Sequence, residues 1–338
     1  MKQLKAKSQE LLAMALAPST RDSYATAFNK YEDFCKFHQL PAIPACQDSL
    51  IAFSTDLSYT LAHTSIKVHL AAVGFHSAMK GHPIHFKDFK RLYYLLRGIK
   101  RVQGSTKRKK KRAPITRDML KKINQNLLNS SKLYEDKIML WAALLTAFYG
   151  FLRVSEYTSL RKKTFDPTST LLFSDMNWAS DGSVTLLIKT SKTDPFREGI
   201  PLRLAPNGSA LCPVNALKHL QRCHPTKNGP LFTFQNGRFL TRRDVNHLLL
   251  STTDGVANVS SHSLRIGAAS TAAAAGCPKW LIQALGRWSS DCFREYIRIP
   301  RTTIRKTSMI LANFHTIDIE RFDPDTLHTG SPESTQQK

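Results

Sequence analysis

The first hundred residues show apolar positions at the spacing of amphipathic helices. Between residues 20 and 40, aromatic side chains recur three and four positions apart, which places them on one helix face. These core-forming aromatics are Tyr24, Phe28, Tyr31 and Phe34. Comparable patterns follow at residues 49–57, 60–79 and 86–98. The pattern predicts a small helical domain over residues 1–102.

The pattern changes in the second part of the chain. Residues 138–152 form an apolar run that predicts a buried helix, because it is shorter than the ~20 residues needed to cross a bilayer. Between residues 171 and 204 the period becomes that of strands. The predicted strands are residues 171–173, 183–190 and 199–204. Turns are predicted between them at residues 179–182 and 191–195. Further helices are predicted at residues 211–221 and 242–250.

These elements predict a mainly α fold with a small antiparallel β-sheet, divided into two domains. A linker is predicted at residues 103–114, and a second domain at residues 115–322. Residues 301–314 have the pattern of a short helix. The polar, acidic residues 323–338 predict a disordered tail.

The charge of the chain points to a polyanionic partner. There are 49 Lys and Arg against 25 Asp and Glu, which gives a net charge of +24. An excess of this size favours nucleic acid over a merely solubilising surface. Basic residues cluster around the predicted linker, and no acidic residue lies among them. These basic residues are candidate phosphate contacts. These residues are Arg97, Lys100, Arg101, Lys107, Arg108, Lys109, Lys110, Lys111 and Arg112.

The basic segment has two further interpretations. Residues 107–112 also have the composition of a nuclear localisation signal, which predicts a nuclear protein. The alternative is a solvated charge run without a specific partner. The apolar part of the first 17 residues is short for a secretory signal and is interrupted by Gln9 and Glu10, so an ordinary helix is expected there.

The six cysteines are scattered and include no CxxC pair, so neither a disulfide framework nor a zinc ribbon is indicated. Cys212, His219, Cys223 and His224 are close in sequence, but their spacing matches no common metal site. We interpret them as core and surface residues.

The stretch from residue 260 to residue 298 carries the candidate chemistry. Ser260 or Ser261 is expected to cap a helix that runs through a series of alanines to Gly276. His262 and Arg265 are three residues apart at its start, so they share a face with the positive end of the helix dipole. This arrangement favours a bound phosphate.

Two more short helices are expected after these alanines. Pro278 is expected to begin one that ends at Gly286, and residues 289–291 are expected to cap the next. The last helix carries Phe293, Tyr296 and Ile297 on one face, turned inward. A lone tyrosine in such a position is usually a core residue, and a lone histidine at a helix start is usually structural.

The order H-x-x-R, then G-R-W, then tyrosine resembles the C-terminal box of the tyrosine recombinase (phage integrase) family. The matching residues are His262, Arg265, Trp288 and Tyr296. The segments HSLRIGAASTAAAAG and LGRWSSDCFREYIR are most similar to recombinases of eukaryotic mobile elements of the Crypton, Ngaro and DIRS groups. The resemblance implies that residues 1–102 are a core-binding domain and residues 115–322 a catalytic domain.

Two further parts of the family pattern can be placed. GFLRVSE resembles the first catalytic-arginine motif, which implies that Arg153 is catalytic and that Glu156 accompanies it; alone, the two would suggest a buried structural ion pair. The family keeps a general-acid lysine on the predicted hairpin. Lys192 lies at the tip of the second turn and has the better reach, whereas the competing Lys189 lies on the strand.

The resemblance implies metal-free and ATP-free cutting and rejoining of DNA strands. The implied catalytic residues are Arg153, Lys192, His262, Arg265, Trp288 and Tyr296, with Glu156 in support. Tyr296 would form a 3'-phosphotyrosyl bond, while the two arginines hold the non-bridging oxygens. His262 would exchange protons, Lys192 would protonate the leaving 5'-oxygen, and the Trp288 indole would donate its N–H. No cofactor is implied, since no acidic cluster suited to a cation is present.

The expected partner is double-stranded DNA, on which the family self-associates, so a tetramer formed as a dimer of dimers is implied and no membrane partner is expected. The predicted role is the integrase of a mobile element. Two alternatives remain. One is an enzyme similar to type IB topoisomerases, which share the chemistry, and the other is a domesticated DNA-binding protein without catalysis.

Overall fold

The computed structural model of the 338-residue chain describes residues 1–106, 111–191, 194, 198–224, 227–253, 258–298, 304–306 and 308–309. The chain divides into two compact units, Met1–Lys111 and Arg112–Lys338, and the division falls within the predicted linker. Residues 304–306 and 308–309 are helical, as expected for that segment. The rest of the predicted C-terminal helix and the predicted tail lie outside the described residues.

The first unit is helical throughout its regular structure. Its helices are α1 (Lys2–Met14), α2 (Pro18–Phe37), α3 (Gln47–Ser58), α4 (His63–Met79) and α5 (Lys90–Thr106), with a 3-10 turn at Phe86–Asp88. The apolar faces of α2 to α5 meet in one core. Phe28, Tyr31, Phe53 and Ile66 are buried there, and the Tyr31 hydroxyl is hydrogen-bonded to Ser49 Oγ at 2.9 Å. Of the predicted core aromatics, Phe28 and Tyr31 are buried and Phe34 is half-buried against the same core, whereas Tyr24 is half-buried beside Phe75.

Helix α5 differs in length from the prediction. It continues to Thr106, several residues into the segment predicted as a linker. Leu92 and Ile99 on its inner face are buried, whereas Tyr93 and Tyr94 are exposed. The helix continues because its inner face still packs against the rest of the unit at residues 99–103. The number of basic residues in this segment does not indicate such packing.

The second unit combines helices with a small sheet. Its elements are α6 (Arg117–Leu128), α7 (Tyr134–Tyr149), α8 (Val154–Tyr157), β1 (Met176–Trp178), β2 (Val184–Ile188), β3 (Ile200–Leu204), α9 (Pro213–Cys223), α10 (Arg242–Thr252), α11 (His262–Ala274) and α12 (Lys279–Gly286), with 3-10 turns at Phe173–Asp175 and Asp291–Tyr296. The predicted fold class, mainly α with a small antiparallel sheet, is confirmed.

Helix α7 forms the centre of this unit. Nearly all of its residues from Met139 to Phe148 are buried, and the helix packs against both α9 and α11. Because these residues are surrounded by protein, this part of the helix has no polar face. Among the described residues, no helix is long and apolar enough to span a membrane.

The sheet has the order β1-β2-β3, with antiparallel pairing throughout. Val184 pairs with Leu204, Ile188 pairs with Ile200, and Met176 pairs with Leu186. The predicted first strand at 171–173 was wrong in position: Leu172 makes only an isolated bridge, to Pro230. The strand is instead at Met176–Trp178, because the turn closed by the Gly182 N–H and the Ala179 carbonyl at 3.0 Å brings those residues beside β2.

The stretch from residue 260 to residue 298 begins with α11, for which Ser261 is the N-cap residue. Neither predicted serine side chain caps the helix; instead the Ser261 N–H donates to Asn246 Oδ1 at 2.8 Å. Further along α11, Gly267 lies against the backbone of Ile115, whose N–H donates to the Ser263 carbonyl at 2.9 Å. The start of the second unit is thereby attached to the helix that carries the candidate site.

Replacing Gly267 with alanine tests this close approach. A Cβ at this position would overlap the Ile115 carbonyl oxygen, and backbone cannot move aside as a flexible side chain can. We expect Gly267→Ala to lower the free energy of unfolding by about 3 kcal/mol. Urea unfolding followed by tryptophan fluorescence measures this, because all four tryptophans lie in the second unit.

Gly98→Ala in α5 is the matched control for this substitution. A Cβ there meets no atom within 4 Å, so the tryptophan-detected transition should not move. An unchanged midpoint for Gly267→Ala would show that α11 does not pack this closely on Ile115.

Candidate functional site

The site begins where α7 ends and α8 begins. Arg153 is the N-cap residue of α8, and its Nη1 lies 3.0 Å from Glu156 Oε1. The Arg153 backbone N–H donates to the other oxygen, Oε2, at 2.9 Å. The Glu156 side chain is 1% exposed and that of Arg153 is 17% exposed. The Arg-Glu pair that the sequence spacing allowed is therefore formed, with the arginine nearer to the surface.

A second guanidinium, which the sequence prediction did not include, reaches the same carboxylate. Arg287 Nη2 lies 2.8 Å from Glu156 Oε2, and Nη1 donates to the Gly150 carbonyl at 3.1 Å. Burial would raise the pKa of the Glu156 carboxyl, but Arg287 and then Arg153 lower it below its usual range. Glu156 is therefore ionised at neutral pH although it is buried.

The segment that follows β2 contributes a hydroxyl to this cluster. Ser191 Oγ accepts from Arg153 Nη1 at 2.8 Å and donates to Glu156 Oε1 at 2.9 Å. Lys192, the predicted general acid, lies outside the described residues. The competing Lys189 pairs with Asp175 at 2.8 Å and donates to the Pro167 carbonyl at 3.0 Å. Lys189 is thus held at the base of the hairpin.

The N-terminal turn of α11 carries Arg265, which is fully buried. Its two terminal nitrogens donate to the carbonyl oxygens of Phe151 and Gly286. Burial, and then the nearby Arg153, lower the pKa of the guanidinium to about 9, so it keeps its charge at neutral pH. Its Nε is buried and has no hydrogen-bond partner in the part of the chain that the structure describes.

Two aromatic rings cover Arg265. The Trp288 ring centroid lies 4.1 Å from the guanidinium carbon and the Tyr296 ring centroid 5.7 Å from it. The two rings are 5.0 Å apart. Trp288 Nε1 is also a buried donor without a partner among the described residues. Trp288 contacts Arg265 through the face of its ring, and its N–H is left for another acceptor.

The position of Trp288 depends on a glycine. A Cβ at Gly286 would overlap the six-membered ring of Trp288, so only glycine leaves room for the indole. Tyr296 lies in the 3-10 turn Asp291–Tyr296, in which Ser290 Oγ caps the Cys292 N–H at 3.5 Å. Phe293 is buried and Tyr296 packs against the same core, so the predicted inward face is present in a 3-10 turn instead of an α-helix.

His262 lies on the other side of the tyrosine. The two ring centroids are 5.0 Å apart, and the residues line an open cleft of about 280 Å³ together with Arg112 and Arg298. Burial, and then the charge of Arg112, lower the pKa of His262 to about 4. The imidazole is therefore neutral at pH 7 and is able to accept a proton.

The structure thus brings together Arg153, Glu156, His262, Arg265, Trp288 and Tyr296. Sequence reasoning missed Arg287 and Ser191. The signal for Arg287 was present, since it is the middle residue of G-R-W. Ser191 precedes Lys192 in the predicted turn, but nothing in the local pattern indicates that its hydroxyl reaches Glu156.

The predicted phosphate contacts lie in different places. Arg97, Lys100 and Arg101 are exposed on α5, where the Arg97 guanidinium lies 5.7 Å from the Tyr93 ring centroid. Lys107, Arg108, Lys109 and Lys110 lie outside the described residues. Lys111 is exposed, and Arg112 lines the cleft beside His262. No group of histidine, cysteine or acidic side chains suited to a metal ion occurs among the described residues.

No protein-family model matches the chain. No curated protein matches it either. Several solved structures match the chain. A XerH site-specific recombinase bound to a palindromic difH substrate, in a post-cleavage complex, superposes with a TM-score of 0.60 and 17% identity, over 86% of this chain and 80% of that chain.

Two other solved structures show the same similarity. The Tn1549 transposon integrase in complex with transposon right-end DNA has a TM-score of 0.58 and 14% identity, over 92% of this chain and 97% of that chain. A lambda integrase dimer bound to a COC' core site has a TM-score of 0.55 and 17% identity, over 94% and 98%. The chain has the fold of tyrosine recombinase catalytic domains.

The lowered pKa of His262 predicts a pH effect on stability. Its pKa is about 4 in the folded protein and ~6.5 when unfolded, so the unfolded chain binds the proton more readily between these values. Stability is therefore lost as the pH falls from about 6.5 towards 4. Between pH 7 and pH 5 we expect the wild type to lose about 1 kcal/mol more than His262→Gln, after allowance for solvent screening.

Urea unfolding at the two pH values measures this difference. His219→Gln, on the exposed face of α9, controls for the loss of an imidazole. Identical pH dependence in wild type and His262→Gln would contradict the burial of a neutral His262.

Proposed function

We propose that this chain is a site-specific DNA recombinase, the integrase of a mobile element, that cuts and rejoins strands through a 3'-phosphotyrosyl intermediate. One observation carries the proposal. Two buried donors, Arg265 Nε and Trp288 Nε1, have no partner among the described residues and lie beside a tyrosine and a neutral histidine. Buried donors without partners are costly, so an anionic ligand that meets them explains why they are present.

Tyr296 is the nucleophile in this proposal. Its hydroxyl attacks the scissile phosphate, the bond to the 5'-oxygen breaks, and the ester energy is kept in the phosphotyrosine, so that rejoining needs no ATP. His262 accepts the phenolic proton. It is neutral before DNA binds because burial, and then the charges of Arg112 and Arg265, lower its pKa. The negative phosphate offsets those charges, which favours the protonated form.

The arginines stabilise the charge that develops on the phosphate. Arg153 is the more exposed of the two and meets the incoming DNA first, whereas Arg265 is reached only when the Trp288 and Tyr296 rings move aside. Guanidinium groups match phosphate oxygens with paired donors and remain charged. The freed Trp288 N–H supplies a further donor to the same group.

Lys192 provides the proton for the leaving 5'-oxygen. Its neighbour Ser191 is hydrogen-bonded to Arg153 and Glu156, which brings this end of the hairpin to the site. Lys189 is committed to Asp175 and to a backbone carbonyl, so it is the poorer candidate.

The proposed partner is double-stranded DNA. The net charge of +24 and the exposed basic side chains of α5 support phosphate contacts that are independent of sequence. The three solved structures are complexes with DNA, and one of them is described as a dimer. We include in the proposal assembly into a tetramer on DNA, action in the nucleus, and origin in a eukaryotic element of the Crypton, Ngaro or DIRS type.

Replacing Tyr296 with phenylalanine tests the nucleophile. Wild type incubated in EDTA with a pool of nicked duplexes should give a covalent protein-DNA adduct on a denaturing gel, because the nick lets the cleaved fragment diffuse away. Tyr296→Phe should give none. Tyr134→Phe, which removes an exposed hydroxyl from the same unit, should form the adduct as wild type does.

Other outcomes of this assay separate the alternatives. Binding in a gel shift without any adduct from wild type would favour a domesticated DNA-binding protein. Relaxation of supercoiled DNA by monomers that never bring two sites together would favour a topoisomerase-like enzyme. An adduct from Tyr296→Phe would refute the assignment of the nucleophile.

A substrate with sulfur at the 5'-bridging position tests Lys192. Thiolate leaves without a proton, so Lys192→Ala should slow cleavage of the ordinary substrate by about 100-fold or more and recover nearly wild-type rates on the sulfur substrate. Lys189→Ala is the matched variant and should show no such recovery. Recovery confined to Lys189→Ala would move the general acid to that residue.

A further inference from the structure

Arg287 has an unusual backbone for a residue with a side chain. It follows α12 with φ 53° and ψ 48°, the left-handed conformation in which helices commonly end with glycine. The preceding Gly286 cannot be exchanged for a larger residue, because Trp288 occupies the space of its Cβ. An arginine held in a conformation that L-residues rarely adopt suggests that its side chain is needed there.

The side chain of Arg287 is 8% exposed and is bonded to the corner between α7 and α8. Nη2 donates to Glu156 Oε2 at 2.8 Å and to the Phe151 carbonyl at 3.3 Å, and Nη1 donates to the Gly150 carbonyl at 3.1 Å. Arg265 donates to the same Phe151 carbonyl. Arg287 therefore contacts the Phe151 carbonyl, which also accepts from Arg265, and the Glu156 carboxylate, which pairs with Arg153. Arg265 and Arg153 are the two predicted catalytic arginines.

The contacts of Glu156 show what Arg287 contributes. Its Oε1 accepts from Arg153 Nη1 and Ser191 Oγ, and its Oε2 accepts from the Arg153 backbone N–H and Arg287 Nη2. Four donors fill the acceptor positions of a carboxylate, so the group cannot rotate. Arg153 is thereby held with Nη1 towards the protein. Its other terminal nitrogen has no hydrogen-bond partner among the described residues and is left for a phosphate oxygen.

The charges around Glu156 also give Arg287 a role in the function of Arg153. Without Arg287, Arg153 would be the one guanidinium among the described residues in contact with the buried carboxylate, and the charge offered to a phosphate would fall. With Arg287 present, two guanidinium groups contact the carboxylate, those of Arg153 and Arg287, and the charge of Arg265 also interacts with it. The pair of Arg287 and Glu156 keeps the charge of Arg153 available.

We propose that Arg287 is a positioning residue that acts through Glu156 to orient Arg153 towards the scissile phosphate. This inference rests on the proposed function. Both terminal nitrogens of Arg287 are engaged with protein acceptors, so its contribution is made without touching DNA. Loss of Arg287 should therefore slow strand cleavage and leave DNA affinity nearly unchanged.

A double-mutant cycle tests the proposal. The rate of covalent adduct formation is measured on saturating nicked DNA for wild type, Arg287→Met, Glu156→Gln and the double variant. We expect each single variant to be about 100-fold slower and the double variant to be within about 3-fold of the slower single, because both substitutions break the same contact. Losses that multiply to about 10,000-fold would overturn the proposal.

A second measurement distinguishes positioning from a general loss of structure. A methylphosphonate at the scissile position carries no charge to neutralise, so it relieves the need for Arg153. On this substrate, the loss of adduct-formation rate caused by Arg287→Met should be smaller, as should the loss caused by Arg153→Ala. A defect of equal size on both substrates would mean that Arg287 supports only the fold. Arg287→Lys serves in the same assays if Arg287→Met does not fold.

The control is an ion pair of the same kind elsewhere in the second unit. Arg238 Nη1 lies 2.8 Å from Asp244 Oδ1 with both side chains mostly buried, and Arg238→Met should change the adduct rate by less than about 3-fold. If wild type forms no adduct, the proposed function fails and the inference fails with it. If wild type forms the adduct and the losses multiply, only the role of Arg287 fails.

Discussion

The buried carboxylate of Glu156 holds together parts of the chain that are far apart in sequence. It contacts its own helix through Arg153, the end of the hairpin through Ser191, and the turn after α12 through Arg287. A charge at this depth is tolerated only because it is paired and fully hydrogen-bonded, and removal of one partner leaves an uncompensated ion. The arrangement of Arg153, Ser191 and Arg287 therefore depends on one anion.

Much of the fold could be predicted from local pattern. The aromatic spacing around Tyr31 and the uniform apolar run of α7 each determine a helix and its buried face. The 3-10 turn that carries Tyr296 was expected as an α-helix, and the first strand was expected several residues too early. Those errors have one cause. Short elements are fixed by their neighbours in space, such as β2 for Met176, more than by their own composition.

The sequence indicates which residues are candidates for the site, but it determines their arrangement only in part. His262 and Arg265 share a helix turn, so their proximity follows from spacing. The link from Arg287 to Glu156 spans 131 residues and follows from no local rule. The same limit applies to the burial of Arg265, since sequence gives no sign that Trp288 lies over the guanidinium.

The burial of Arg265 affects both the stability of the unbound protein and the proposed chemistry. Arg265 is buried beneath two aromatic rings, and both its Nε and the Trp288 N–H lack partners in the described residues. Each feature is unfavourable in the unbound chain. A phosphate that displaced the rings would satisfy both donors and meet a charge that is already desolvated. Since the cost of removing water from the guanidinium is met during folding, the binding of DNA need not supply it again and has only to move the two rings.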